Sequence, residues 1–579
     1  ILFIFSISVG HSQTSGKISG KILDKKDSSP LVGANIIINQ TQAGTSADEE
    51  GYFNLINVSP GKYTVRVMMI GYETVTIENV VVSVNRTTSL DIDLKQSIIE
   101  GQEVVIYASK FSRKKDQTST VKNISSEEIE ILPVEDLGAV INMQAGVVAG
   151  HFRGGRRDEV SYMIDGVPVN DAFGGVSAVS NLEVEAVKDL EIITGTFNAE
   201  YGNAMSGIVN AVTKDGNNNF NGSINTGFST YITENKKNGE NIYIGLDPFG
   251  INTNSDLKFS LSGPVIKDLL YFFTNFRTQD VNGHLNGIRR FEVWNLSNFY
   301  DQDSSKWFSE NTGDSSYVPM NTGKYTSFMG KLSLNLGNIK LALMLNVNHS
   351  LSRGYSHIYK YNPDGRSYGD GWTSLSMFQL NHFLNERMFY DIKYSITDND
   401  YGSYVFEDYD SYKILSEDGI HQGVYHFAGD TIYNYVNDKY MTAYGTGFFT
   451  GGQDKGHLNR ITKTYNFKSD FTWQVTNSHS LKAGFSLISY ELENIYHTIR
   501  NAFAGTSLES DQYKPIVLPD STVYSDVYGV GPKERSFYIQ DKFERDEIVI
   551  NIGLRYDAFD ANTTYPSQRR NPVNASTYY

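Results

Sequence analysis

Apolar and polar residues alternate strictly in successive segments of the chain from Phe220 onward. In residues 465–475 the apolar side chains occupy odd positions, whereas Lys468 and Asp470 occupy even ones. Residues 548–558 repeat this pattern with Arg555 among the polar positions. A period of two places the apolar side chains on one face of an extended strand. Segments of about ten residues match tilted strands that cross a bilayer.

The connections between these segments alternate between short turns and long polar stretches. A transmembrane barrel has tight periplasmic turns and long external loops, whereas loops this long are uncommon in a soluble sandwich. The pattern therefore predicts a transmembrane barrel. The short turns lie at residues 337–338, 385–387, 476–480 and 544–547, and the long connections at 231–255, 280–324, 349–372, 399–460 and 494–534.

We expect residues 217–579 to form the N-terminal part of this barrel, with about eleven strands. Bacterial single-chain barrels have even strand numbers, and an open edge in lipid leaves backbone groups unpaired. We therefore expect the sequence to be a fragment in which the barrel is unfinished, and the family resemblance described below implies that the C-terminal half is the missing part.

Two smaller modules are predicted ahead of the barrel. Residues 13–96 contain short β-branched runs between turn residues, which predicts a small antiparallel sandwich of roughly seven strands. Residues 110–216 mix strands with amphipathic stretches at 134–143 and 182–190, and Ser125 begins a capping-box pattern ahead of a short helix. This second module is predicted to be α+β.

The first residues are typical of a secretion signal. An apolar run is followed by Gly10 and Ser12, which suits a partial signal peptide over residues 1–12 with cleavage after Ser12. The alternative is a buried first strand.

Composition excludes several classes of function. The chain has 579 residues, no cysteine and a formal charge of −16. The absent cysteines exclude a disulfide scaffold and thiolate metal sites, and the acidic balance disfavours nucleic acid as a partner. The mean hydropathy of −0.35 disfavours membrane helices. Neither HExxH nor a phosphate-binding loop occurs, so we expect no catalytic residues, metal or cofactor.

Residues 97–109 are predicted to be a linker with one short extended segment. The segment consists of Glu103, Val104, Val105, Ile106 and Tyr107. It is either an ordinary interdomain strand or a strand that adds to the sheet edge of another protein.

Residues 16–74 resemble the carboxypeptidase-regulatory-like domain. The resemblance lies in SPLVGANI (29–36), GTSADEEGYF (44–53) and PGKYTV (60–65). In that family the domain is a non-catalytic accessory, so the resemblance implies no peptidase activity.

Residues 151–171 and 184–216 resemble the plug domain of TonB-dependent outer-membrane receptors. The strings are HFRGGRRDEVSYMIDGVPVND and VEAVKDLEIITGTFNAEYGNAMSGIVNAVTKDG. Glycines there suit tight turns and close backbone approach. Thr194 and Gly195 stand where the family often has an arginine, so Arg153 is the candidate for a plug-to-barrel ion pair, with a solvated loop arginine as the alternative. The plug motif comprises Arg153, Gly154, Gly155, Asp165, Gly166, Tyr201, Gly202 and Gly207.

The resemblance implies a mainly β fold, with a β-sandwich, an α+β plug and the first half of an antiparallel transmembrane β-barrel. It implies a receptor in the outer membrane of a Gram-negative bacterium that imports a large or scarce nutrient. Glu103–Tyr107 falls where the family has its TonB box, which implies TonB, ExbB and ExbD as partners besides outer-membrane lipid. A surface lipoprotein is a further partner that the sequence does not mark.

Two rivals remain open at this point. A passive surface adhesin or scaffold with a barrel anchor would need no plug, and the plug strings count against it. A peptidase with its accessory domain lacks visible metal ligands.

Overall fold

The computed structural model describes most of the chain, and the structural statements below concern the described residues. The predicted signal peptide, residues 1–12, lies outside them. The described residues are 15–39, 41, 43–97, 103–107, 120–134, 136–173, 182–231, 236–237, 240–241, 243–246, 254–408, 413–414, 424–427, 430–443, 447–509, 512–545, 548–568 and 571–576.

The N-terminal module is a sandwich of two sheets around its own apolar core. Ile18, Ile36, Phe53 and Val65 are among the residues that fill this core. One sheet contains Tyr52–Val58, Gly16–Asp24, Thr87–Ser89 and Ile92–Leu94, and the other contains Gly44–Ser46, Asn35–Ile38, Gly61–Met68, Thr74–Val82 and Glu103–Tyr107.

The sandwich differs from the predicted antiparallel one. Gly16–Asp24 pairs in parallel with both Thr87–Ser89 and Ile92–Leu94, and Thr74–Val82 pairs in parallel with Glu103–Tyr107. Parallel pairs join segments that are remote in sequence, so the spacing of local turns could not predict them.

The second module, called the plug below, is a five-stranded mixed sheet with two short helices. Its strands in sheet order are Val121–Ser125, Val187–Ile193, Gly207–Thr213, Val160–Ile164 and Val167–Pro168. The helices are Ser126–Glu130 and Leu137–Asn142, the 3-10 turns are Arg157–Glu159 and Val184–Ala186, and Val147–Val148 pairs with His151–Phe152.

The predicted capping box is present, because Ser125 and Glu128 bond reciprocally at the start of the first helix. The amphipathic stretch at 182–190 is not a helix. After one 3-10 turn the chain continues as the strand Val187–Ile193, which pairs on both sides. Its β-branched residues favour the extended state, and two neighbouring strands satisfy its backbone.

The third module is one large antiparallel sheet in which eleven strands follow each other in chain order. Among the described residues, no helix is long and apolar enough to cross a membrane. The strands are Asn221–Ser229, Asn254–Ile266, Leu270–Val281, Thr322–Leu336, Ile339–Arg353, Tyr368–Asn385, Met388–Tyr404, Gly456–Gln474, His479–Thr498, Lys533–Arg545 and Ile548–Asp560, with the short Ser525–Val530 beside His479–Thr498.

The alternation seen in the sequence separates the two faces of this sheet. Asn466, Lys468 and Asp470 are buried, and Lys468 contacts the plug, whereas Phe485 and Leu487 keep more than 40% of their surface exposed. The plug core continues onto the inward face of the sheet through five barrel residues. These are Phe273, Met329, Met344, Leu375 and Met377.

The long connections pack against each other at one end of the barrel wall. Tyr435 stacks on Tyr513 with ring centroids 5.4 Å apart, and Val293, Phe406 and Ile499 join the same cluster. The tyrosines thus pack these loops together. Short strands within the connections are Lys236–Lys237, Glu240–Asn241, Asn286–Ile288, Ser297–Asn298, Phe308–Ser309, Tyr317–Pro319, Lys413–Ile414, Val424–Phe427, Asp430–Tyr433, Arg500–Asn501 and Pro515–Ile516, and beyond the last wall strand lie Tyr565–Gln568 and Asn571–Ser576.

Candidate plug interfaces and linker strand

The turn Asp165-Gly166 is one of the sites at which the plug contacts the barrel wall. Both residues have left-handed φ angles, 49° and 77°, in the turn between Val160–Ile164 and Val167–Pro168. Such a turn favours Asp followed by Gly, because Gly carries no Cβ and a short Asp tolerates positive φ. The turn presents two backbone carbonyls and one carboxylate to the wall.

Three lysines from different barrel strands converge on this turn. Lys331 Nζ lies 3.2 Å from the Asp165 carboxylate, Lys393 Nζ donates to the Asp165 carbonyl at 2.6 Å, and Lys468 Nζ donates to the Gly166 carbonyl at 3.3 Å. Lys331 and Lys393 are at most 5% exposed. Buried cations next to a carboxylate and carbonyls form charge-assisted hydrogen bonds, which are stronger than neutral ones.

The Asp165 carboxylate is held ionised inside the protein. Burial alone would raise its pKa, but Lys331 and the hydrogen bonds from Thr213 outweigh burial, so the pKa of Asp165 lies below its usual range. The Thr213 N–H and hydroxyl donate to it at 2.9 and 2.6 Å. Asp165 therefore ties a strand of the plug sheet to the barrel wall.

Other plug carboxylates meet barrel cations in the same way. Asp215 lies 3.1 Å from Lys331 and 2.9 Å from Lys340, and Glu183 lies 3.2 Å from Arg277. The further pairs are Glu185 with Lys258 and Glu200 with Lys482. The plug is thus acidic where the wall is basic.

Two glycines of the plug motif permit close packing. A Cβ on Gly202 would lie 2.3 Å from the Arg555 guanidinium, and one on Gly207 would lie 2.5 Å from the Phe152 ring. Arg555 also donates to the carbonyls of Ala199 and Glu200, at 3.3 and 3.1 Å. Gly207 therefore needs glycine beside the buried Phe152 ring, whereas at Gly202 the flexible end of Arg555 can move aside.

Arg153 does not make the predicted ion pair within the described part of the chain. Arg153 is exposed and has a φ of 48°. Its guanidinium lies over Gly195, 3.3 Å from the position that a Cβ on this glycine would take. The charges are reversed relative to the prediction, because the plug supplies carboxylates and the barrel supplies cations.

The two glycines that follow Arg153 lie in tight backbone. Gly154 has a φ of 80°, and a Cβ on Gly155 would lie 2.4 Å from Ser206.

Family models match all three modules. Residues 18–106 match the CarboxypepD_reg-like domain, residues 113–208 the TonB-dependent Receptor Plug Domain, and residues 302–575 an Outer membrane beta barrel domain. The chain belongs to the TonB-dependent receptors. The family and the barrel domain place this receptor in the outer membrane.

Individual relatives agree with this family. The receptor is 25% identical over 292 residues to the TonB-dependent transporter Oar of Myxococcus xanthus, covering 45% of this chain and 26% of that protein. It is 28% identical over 131 residues to the vitamin B12 transporter BtuB of Vibrio vulnificus, covering 20% of this chain and 22% of that protein. The match thus spans about a quarter of these relatives' length.

A solved structure with a related arrangement is the outer membrane transporter YddB from Escherichia coli. The similarity covers 76% of this chain and 56% of that chain, with 13% identity and a TM-score of 0.48.

The receptor's linker strand, Glu103–Tyr107, is an edge strand of the sandwich. It pairs in parallel with Thr74–Val82, from Thr74 opposite Glu103 to Glu78 opposite Tyr107. It stands at the end of the sheet order, so no other described strand pairs with its second edge. Val104 and Val105 are 40% and 49% exposed. Its assignment as a TonB box stays a prediction.

A cavity of about 180 Å³ separates part of the plug from the receptor wall. Asp158 and Asn203 line it from the plug, and Lys468, Tyr490 and Glu534 line it from the barrel. Within the described residues there is no cluster of ligands that could hold a metal ion. The cavity offers hydrogen-bond donors and acceptors of both charges.

The partners of the plug carboxylates were missed by sequence reasoning, which named Lys468, Asp470 and Arg555 only as polar positions of alternating strands. One sequence feature could have indicated these partners. Several strands with alternating apolar and polar residues carry a lysine at a position on the inward face. Desolvated lysines require an anion nearby, which could have pointed to the plug. These lysines are Lys331, Lys340, Lys393, Lys468 and Lys482.

Proposed function

We propose that the receptor imports a large or scarce nutrient and that TonB supplies the energy by capturing the linker strand. The observation that carries this proposal is the position of Glu103–Tyr107, an extended strand at a sheet edge directly ahead of the plug. An edge strand can exchange one partner strand for another without a change in its own conformation.

The contacts of the plug support a pulling mechanism. Hydrogen bonds and ion pairs, such as the contacts at Asp165 and Asp215, bind the plug to the wall beside the apolar contacts with five barrel residues. Water can replace such contacts when the plug shifts. A force on the linker strand would act on the plug strand Val121–Ser125, which comes next in the described part of the chain.

We propose that cargo binds on the side of the long connections, above the plug. The cargo class is a siderophore, vitamin, glycan or peptide, and the relative named as a vitamin B12 transporter is consistent with the vitamin. ExbB and ExbD would transmit the inner-membrane proton gradient to TonB, and a surface lipoprotein would assist capture. No bond is made or broken, so no catalytic residue is proposed.

The test measures binding of a purified TonB periplasmic domain to the full-length receptor. Val105→Pro removes a backbone donor from the linker strand, and we expect the affinity to fall about fivefold to tenfold, as for the loss of a hydrogen bond. Val105→Thr keeps the β-branched extended preference and serves as the matched control.

Uptake completes the test. Growth on single iron, vitamin, glycan and peptide sources identifies the cargo, and deletion of residues 103–107 should then abolish growth while surface binding of the same source persists. Undiminished growth of the deletion strain would show that the strand is not the coupling segment.

A further inference from the structure

One loop of the sandwich is inserted into the plug. This docking loop, residues 83–87, contains Val84, whose N–H donates to the Asp189 carboxylate at 3.0 Å. The Asn85 amide donates to Glu191 at 3.2 Å and to the Tyr201 hydroxyl at 2.9 Å. Val84 is fully buried. The loop therefore covers two carboxylates of the plug strand Val187–Ile193.

Arg86 extends the same contact to the edge of the plug sheet. Its Nε donates to the Asn123 side chain and its Nη2 to the Val121 carbonyl, both at 3.2 Å. Val121 and Asn123 belong to the first plug strand, Val121–Ser125. The sandwich thus occupies the plug edge to which a pull on the linker strand would be transmitted first.

Residues of the sandwich next to the docking loop rest on the barrel wall. Lys17 lies 3.1 Å from Glu544, Asn54 donates to Asn477 at 3.3 Å, and the Asn57 amide donates to Asn381 at 3.2 Å. Asn477 lies in a short turn between barrel strands. Short turns face the periplasm in such barrels, so the sandwich lies at the periplasmic mouth.

We propose that the sandwich is a periplasmic gate that clamps the seam between plug and barrel and must undock before the plug can move. The role of the gate in transport rests on the proposed function, whereas the contacts that form the gate do not. The interface suits reversible docking, because its contacts are mostly polar and it encloses a cavity of about 160 Å³ that Lys17, Arg86 and Glu191 help to line.

A pull on the linker strand would release the sandwich from the plug. Because Glu103–Tyr107 is hydrogen-bonded to Thr74–Val82 of the sandwich, a pull on the linker acts on the gate and on the plug together. Capture of the strand by TonB would remove it from the gate, and the same force would then separate the docking loop from Asp189 and Glu191. Undocking exposes the two carboxylates to water.

The test locks the gate with a covalent cross-link. These 579 residues contain no cysteine, and any cysteine elsewhere in the full-length receptor is replaced by serine, so Asn54→Cys/Asn477→Cys introduces one defined pair across the interface. A short bismaleimide joins the two thiols in the full-length receptor, and a monofunctional maleimide on the same variant leaves the gate free. Single receptors in planar lipid bilayers then report ionic current while urea is raised on the periplasmic side.

We expect the locked receptor to open about tenfold less often than the free one at the urea concentration that half-opens the latter, equivalent to about 1.4 kcal/mol. Cross-linking Ser19→Cys/Asn54→Cys, which are paired positions within the sandwich, should leave opening unchanged. Asn57→Cys/Asn381→Cys provides a second lock if the first variant folds poorly.

Equal opening of the locked and free receptors at every urea concentration would overturn the gate. This measurement contains no TonB, so it is independent of the proposed energy coupling. Conversely, a TonB periplasmic domain that binds none of the variants would contradict the coupling and leave the result on the gate intact.

Discussion

Asp165 accepts hydrogen bonds from Thr213, Lys331 and Gln379, while its backbone carbonyl accepts one from Lys393. Its carboxylate is 1% exposed, so these contacts replace hydration completely. Removing one partner from such a group leaves a buried charge without compensation, which costs far more than losing an exposed pair.

Lys331→Met should therefore loosen the plug strongly. Lys331 pairs with both Asp165 and Asp215, and loss of one partner of a buried pair costs about 3–5 kcal/mol. The measurement is urea-induced channel opening in planar bilayers. Lys324→Met is the matched control on the same strand, because Lys324 is 68% exposed and pairs with Asp280 at the surface. Equal opening of the two variants would contradict a retaining role for Lys331.

Glu191 makes the stability of the plug depend on pH. Burial first, and then Glu200 and Asp189, raise the pKa of Glu191 to about 8, and burial raises the pKa of Asp189 to about 6. A raised pKa means that the folded plug binds protons more tightly than the unfolded chain. The contribution of these two groups to the stability of the plug is fully present below the ordinary pKa of a carboxyl group. It is lost as the pH rises through the raised pKa values.

We therefore expect the plug to unfold at lower urea at pH 8 than at pH 5, with up to about 1.4 kcal/mol lost for each pH unit in which Glu191 is protonated only when folded. The other groups that face it are Asn85, Arg86 and Tyr201. Glu191→Gln should flatten the profile, whereas Glu130→Gln, at an exposed carboxyl, should not. An unchanged slope in Glu191→Gln would show that the dependence comes from another group.

At the level of elements, the strands of the wall could be predicted because their pattern is local. A period of two persists in the sequence of Gly456–Gln474 and Ile548–Asp560, and in Gly456–Gln474 the polar positions are the buried ones. The stretch at 182–190 misled the prediction, because apolar residues at helical spacing also suit the fully buried strand Val187–Ile193.

The partners of the elements could not be predicted in the same way. Asp165 and Lys331 are 166 positions apart in sequence, and the docking loop is more than 100 positions from Asp189. Such pairs depend on strand register and on module placement, which a single sequence does not encode locally. The Asp165-Gly166 turn could be predicted from the sequence, but the sequence did not show which lysines contact it.

In the whole molecule, the sandwich holds the linker strand that we propose TonB captures. The sandwich has a core of its own, separate from the core shared by plug and barrel. Removing it should therefore leave the plug and the barrel folded. The linker strand would then lose the partner strand Thr74–Val82, which holds it in the intact receptor.

This competition predicts the affinity for TonB. A strand that is free for only a fraction of the time binds with an affinity reduced by that fraction. A full-length receptor without residues 15–97 should consequently bind the TonB periplasmic domain more tightly than the intact receptor, by about tenfold if pairing with the sandwich is worth about 1.4 kcal/mol. Titration calorimetry measures the difference, and Val105→Pro in the shortened receptor controls for binding elsewhere. Identical affinities would mean that the sandwich does not hold the strand in solution, because a competing partner must weaken binding whenever it is occupied.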